Sequence, residues 1–220
     1  MVNKDTYIQI RTQLAGKASL VAVSKTKAAA DILELYELGQ REFAENYVQE
    51  LVDKQLQLPA DIRWHFIGHL QTNKVKYISP FISLVHSVDS YKLLQEINKQ
   101  AQKNNRMIEC LLQVHIAVEE TKFGLDEAEL KDLFQHENLA SFKNINIKGL
   151  MGMASFSEDE MKIKNEFRHL KSLFDTYASQ EIPQCRLTIL SMGMSADYKI
   201  ALDEGSNLVR IGSLLFGNRE

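Results

Sequence analysis

Apolar positions along this chain follow two alternating spacings. Short uninterrupted runs, of which Leu20-Val21-Ala22-Val23 is the first, read as strands buried on both faces, the habit of a parallel sheet. Each run is followed by a stretch in which apolar residues return every three or four positions. Ile32, Leu33, Leu35, Tyr36 and Leu38 do so before Gly39, the signature of a helix ended by glycine. After an N-terminal amphipathic helix the unit recurs, with strands at 41–46, 62–68, 83–88, 108–117, 145–153, 186–193 and in "NLVRIGSLLFG". Asp89 or Ser90 caps the helix after 83–88, and Ser157 with Glu160 forms a capping box after 145–153. About eight such units predict one domain over residues 1–220, a closed (β/α)₈ TIM barrel of the α/β class with an extra N-terminal helix. An open doubly wound sheet shares the alternation. It requires a G-x-G-x-x-G turn after the first strand, where this chain has "SKTKAA".

Composition narrows the picture. With 45% hydrophobic and 25% charged residues, the 220-residue chain can bury a full core. A formal charge of -3 without any Lys/Arg run argues against a nucleic-acid surface. The start is too polar for a secretory signal, and no apolar run is long enough to span a bilayer. Cys110 and Cys185, far apart, read as reduced, buried thiols of a cytoplasmic protein. Helices polar on their outer faces point to a monomer.

In a barrel, the residues just past each strand converge on one face. They are Lys25, Asn46, His69 and Gln71, Ser87 and Asp89, Met151 and Met153, "SMGMS" (191–195) and "RIGS" (210–213). Glycine turns bearing hydroxyls after the last two strands suit a phosphate, held by the N–H groups of Gly212 and Ser213 and the hydroxyls of Ser195 and Ser213. A phosphate facing a lysine implies a phosphorylated aldehyde or ketone between them. Burial in an apolar barrel mouth would leave the Lys25 amine neutral enough to form a Schiff base, with pyridoxal 5'-phosphate (PLP) or a sugar phosphate as its partner.

Plainer roles stand beside these. Lys25 can be a solvated loop residue, Ser195 a helix cap, Asn46 a partner of nearby backbone, and Arg210 an ion pair with Glu204 or Asp203. An arginine inside "NLVRIG" nevertheless belongs inside the barrel. Met151, Met153, Met192 and Met194 are common core fillers, and Phe43, Trp64 and Phe66 read as packing. His65 and His69 straddle a strand end without H-E-x-x-H, and His86, His115, His136 and His169 form no ligand pattern, so no metal site is expected.

Taken together, "AVSKTK", "FAENYVQE", "WHFIGHLQTNK", "HSVDS", "ETKFGL", "GLMGMASF" and "LSMGMSADYKIALDEGSNLVRIGSLLFG" resemble the pyridoxal phosphate homeostasis protein family. These are single-domain barrels similar to the N-terminal domain of bacterial alanine racemase. The resemblance runs from about the first strand to the end of the chain. It implies that Lys25 carries PLP as an internal aldimine and that Ser195, Gly212 and Ser213 hold the phosphate. It also implies that Arg210 approaches the pyridine nitrogen, that Asn46 lines the pocket, and that Met194 belongs to the same cofactor-binding set. Ala44 departs from the glycine usual before "ENY", Ala28 from a proline after "KTK", and His115 from an asparagine in "QVNIA". Only the placement of Asn46 is touched by these changes.

An arginine beside the pyridine nitrogen disfavours its protonation and weakens the ring as an electron sink. Racemases of this fold add a second base from a further domain and a partner subunit, and this chain stops at "SLLFGNRE", directly after its last strand. The resemblance therefore implies a protein of intracellular PLP (vitamin B6) homeostasis or delivery with little or no turnover, serving PLP-dependent apo-enzymes. The alternative is a small amino-acid racemase using Lys25 alone or with a water. A sugar-phosphate aldolase is a third reading.

Overall fold

The computed structural model describes residues 2–117 and 123–217. Its strands are β1 (Ser19–Val23), β2 (Glu42–Glu45), β3 (Arg63–Phe66), β4 (Leu84–Val88), β5 (Ile108–Gln113), β6 (Ile145–Met151), β7 (Cys185–Ser191) and β8 (Leu208–Ile211). They close into one barrel in sequence order. All neighbours are parallel, and β1 pairs with β8 from Ser19↔Leu208 to Ala22↔Ile211. The open-sheet alternative is thereby ruled out. Helices α1 (Lys4–Leu14), α2 (Ala29–Glu37), α3 (Val48–Gln55), α4 (Val75–Ile78), α5 (Tyr91–Lys103), α6 (Glu127–Phe134), α7 (Glu160–Ala178), α8 (Tyr198–Asp203) and α9 (Ser213–Phe216) follow the pattern of amphipathic stretches. Among the described residues no helix is long and apolar enough to cross a membrane.

Two apolar layers explain why the strands read as continuous hydrophobic runs. One lies between sheet and helices and includes Ile32, Leu35, Phe43, Trp64 and Phe167; Phe43 and Trp64 pack at 6.2 Å between ring centres. The other fills the barrel itself with Val21, Ala44, Leu84, Leu111, Met151 and Leu208. Strand residues alternate between the two, so each run must be apolar at nearly every position. Strand β6 approaches β7 so closely at Gly149 that a Cβ there would stand 1.7 Å from the Ile189 carbonyl oxygen. The register of the pair shifts at this point.

Several local expectations need correction. Helix α7 is capped by Asp159, whose side chain accepts from the Met161 and Lys162 N–H groups. Ser157 instead accepts from the Asp159 N–H at 3.1 Å, because the chain turns into the helix only after this polar run. Helix α5 does use Ser90. Strand β5 ends at Gln113; Val114 still donates its N–H to the Met151 carbonyl at 2.8 Å and forms an isolated bridge with Leu125. Both cysteines are free thiols, but Cys185 is only partly buried. Burial pushes its pKa up to about 12.

Candidate functional site

At the C-terminal ends of the strands lies a cleft of about 650 Å³. Lys25, Asn46, Met194, Ser195, Arg210, Gly212 and Ser213 all line it. Lys25 sits just past β1 and is partly buried; Asn46 follows β2; Met194 and Ser195 belong to the turn after β7; Gly212 and Ser213 open α9. Met151 and Met153 form part of the apolar floor, while Met194 stands at the lip, 38% exposed. Met192 is fully buried in the core. The Asn46 Oδ1 is buried with no hydrogen-bond partner, so the plain role of bonding nearby backbone does not account for that oxygen. Ser195 is not a helix cap either. Helix α8 begins after Asp197, whose Oδ1 accepts from the Met194 N–H at 2.6 Å. The Ser195 Oγ accepts from the Gly212 N–H at 3.3 Å and ties the two turns together. A Cβ at Gly212 would lie 3.2 Å from the Val23 carbonyl oxygen, so the turn is tight against β1.

The loop bearing Lys25 is held by groups that sequence reasoning missed. The Lys54 Nζ, on α3, donates to the Ser24 carbonyl at 2.8 Å and to the Glu45 and Glu50 carboxylates at 2.7 Å each. The Ser24 hydroxyl donates to Glu45 at 2.6 Å, and Glu50 accepts the Thr26 N–H. Residues on both sides of Lys25 are thereby fixed, with Thr26 at φ +66°. Glu45 is fully buried at the end of β2, beside the buried Phe43 and Ala44. A charge there was the available signal, since buried carboxylates are rare unless paired.

Arg210 points into the barrel, as a strand arginine flanked by core residues should. Arg168 and Lys164 take Glu204 instead. The Arg210 guanidinium donates to the Ser191 carbonyl at 2.9 Å, the Ser191 Oγ at 2.6 Å and the Gly152 carbonyl at 3.0 Å. Burial lowers its pKa to about 10, which leaves it charged at neutral pH. Beyond Ser191 lie His86, with Nδ1 at 3.2 Å from the Oγ, and His65, with Nδ1 at 3.0 Å from His86 Nε2. Burial pulls His65 down to about 3 and His86 well below the ordinary histidine value. Histidines kept neutral in the fold and charged when unfolded make the unfolded chain bind more protons. Their contribution is complete above about 6.5 and is lost as pH falls, for His65 toward about 3. Urea melts should show stability falling over that window by about 1.4 kcal/mol per pH unit for each histidine. Replacing both by leucine should flatten the slope.

The remaining histidines do other things. His69 lies 3.2 Å from Asp89 and stacks on Phe123 at 4.2 Å. Among the described residues there is no group of three His, Cys, Asp or Glu suited to a metal ion. In the motif "ETKFGL", residues 120–122 lie outside the described residues.

With this barrel and cleft in place, the chain belongs to the family described as "Alanine racemase, N-terminal domain", whose model matches residues 4–220. Within it, the chain belongs to the pyridoxal phosphate homeostasis protein family. It is 40% identical over 218 residues to the pyridoxal phosphate homeostasis protein of Aquifex aeolicus, covering 97% of this chain and 94% of that one. The Homo sapiens protein of the same name is 41% identical over 212 residues, 91% of this chain and 76% of its own. PipY of Synechococcus elongatus, solved with PLP bound, superposes with a TM-score of 0.87 at 36% identity, covering 97% of this chain and 99% of PipY.

Proposed function

We propose that this chain is a single-domain, cytoplasmic PLP-binding protein, monomeric, that holds the cofactor covalently on Lys25 and takes part in vitamin B6 homeostasis or delivery with little or no turnover. The observation carrying this reading is that the Lys25 side chain and the Ser195, Gly212 and Ser213 turns line one cleft, as a phosphorylated aldehyde needs. The chemistry suits the group. PLP supplies an aldehyde with which an amine condenses, releasing water. Ser213 offers its N–H and hydroxyl and Ser195 its hydroxyl proton to the phosphate, with the Gly212 N–H fixing the Ser195 oxygen, and Asn46 offers a buried oxygen that has no partner. PLP is also what the PipY neighbour holds. Low turnover is supported by Arg210, a buried cation at the cleft floor that opposes protonation of a ring nitrogen placed against it. A monomer is supported by the exposed large apolar side chains, which are spread over separate elements.

Borohydride reduction of the PLP-loaded protein, followed by peptide mapping, tests the reading. The added mass should lie on the Lys25 peptide, and Lys25→Ala should lose it together with the yellow colour. Label scattered over surface lysines, or retained in Lys25→Ala, refutes it. Robust α-proton exchange on L-alanine that disappears in Lys25→Ala would replace the carrier by the racemase. Transfer to apo-enzymes predicts that an apo-transaminase is activated by the loaded protein faster than by dialysed free cofactor.

A further inference from the structure

The chain of buried polar groups beneath the cleft has a direction that can be deduced link by link. Arginine only donates. With Arg210 Nη1 donating to the Ser191 Oγ at 2.6 Å, that oxygen accepts, and its own proton is directed at His86 Nδ1, 3.2 Å away. His86 Nδ1 is then an acceptor, so its proton resides on Nε2 and is donated to His65 Nδ1 at 3.0 Å. His65 must in turn carry its proton on Nε2. Both rings are buried, 2% and 0% exposed, with the ring centres 5.1 Å apart. In this direction the buried His65 Nε2–H is the one group of the chain without a partner; the opposite direction leaves two, the serine hydroxyl proton and the His65 Nε2 lone pair.

We propose that Ser191, His86 and His65 are positioning residues that hold Arg210 as a fixed donor at the floor of the cleft, so that the ring nitrogen of a bound pyridine cofactor meets a donor and stays unprotonated. This rests on reading the cleft as a PLP site. The three hydrogen bonds of Arg210 go to neutral oxygens, of Ser191 and Gly152, and none is to a carboxylate. Asp197 is the carboxylate whose charge acts on the guanidinium from the same cleft, and the part it does not offset is available to the ligand. The two histidines act through serine and touch neither the cleft nor the ligand. They select the direction in which the hydroxyl points, and with it the aim of the guanidinium.

Two measurements test this. In the cofactor-free wild type, ¹⁵N-detected histidine NMR at neutral pH should find His86 and His65 both neutral and both protonated on Nε2. Either ring protonated on Nδ1 overturns the chain, whatever the protein binds. In the loaded protein, PLP labelled with ¹⁵N at the ring should give an unprotonated nitrogen signal in the wild type. In Ser191→Ala and His86→Phe that signal should move toward the protonated position, with cofactor dissociation about tenfold faster, the effect of losing one hydrogen bond of about 1.4 kcal/mol. Ser191→Thr, which keeps the hydroxyl, should restore both. An unchanged ring signal in well-folded Ser191→Ala overturns the positioning role. If the variants fail to fold, the wild-type tautomers decide. A wild type that takes up no PLP overturns the reading beneath the proposal, separately from the tautomer result.

Discussion

Lys54→Met is expected to lower the unfolding free energy by about 3–5 kcal/mol, with a larger loss at about pH 8 than at about pH 5. The Lys54 ammonium is nearly buried and serves three acceptors, of which Glu45 is fully buried. One Glu45 oxygen has no partner even in the parent chain, and burial already raises the pKa of this carboxyl against the pull of Lys54. Without the ammonium, the carboxyl is driven further toward its protonated form. A carboxyl whose folded pKa exceeds its unfolded value of about 4.5 binds its proton more tightly in the fold. Its stability contribution is complete below about 4.5 and is lost as pH rises through the folded value. Urea melts at the two pH values check the sign, and equal losses would refute the assignment. The same variant should reduce borohydride labelling of Lys25, because the Ser24 carbonyl loses its tether. An ordinary surface lysine would produce neither effect.

The second large effect is expected at Gly68, three residues beyond the buried His65. A Cβ at Gly68 would stand 2.1 Å from the Asn46 carbonyl oxygen and 2.8 Å from the Asn46 Cα. Both are backbone atoms, so no side-chain rotation relieves the clash. Gly68→Ala should therefore cost about 1–3 kcal/mol, or more if the β2 and β3 ends separate. It should also weaken PLP binding in a titration followed by absorbance, since Asn46 must move. Unchanged stability together with unchanged affinity would show that the two loops have slack that this geometry lacks. Gly39, which has open space around its Cβ position at φ +94°, is a suitable contrast. There only the backbone preference is at stake.

The fold was legible because the barrel imposes a local rule at every turn. Each strand must be apolar on both faces and each helix on one, so runs such as "SLVAV" and "KLLQEI" declare their elements directly. The residues at the rim followed from the same rule, since position just past a strand end is a local property. Three things were hidden. The support beneath Lys25 is made by Lys54, separated from Ser24 by 30 positions, and nothing in an ordinary amphipathic helix marks one lysine as turned inward. The contact between His86 and Ser191 spans 105 positions, and its meaning depends on tautomers that no spacing reveals. The role of Ser195 stayed open between helix cap and ligand because serine suits both, and only the start of α8 after Asp197 decides against the cap.

The seam between β1 and β8 joins residues nearly two hundred positions apart, and the cleft is built across that seam, with Lys25 on one side and Gly212 and Ser213 on the other. Lys25 follows the first strand of the barrel and the Gly212–Ser213 turn follows the eighth, so the two sides of the cleft come together only when the cylinder closes. Half a barrel thus offers no half-strength pocket, and cofactor capture becomes a check on completed closure. A ligand that touched both sides would act as a clasp on that seam: at a hundredfold excess over its dissociation constant it would add about 2.7 kcal/mol to the stability of the closed cylinder.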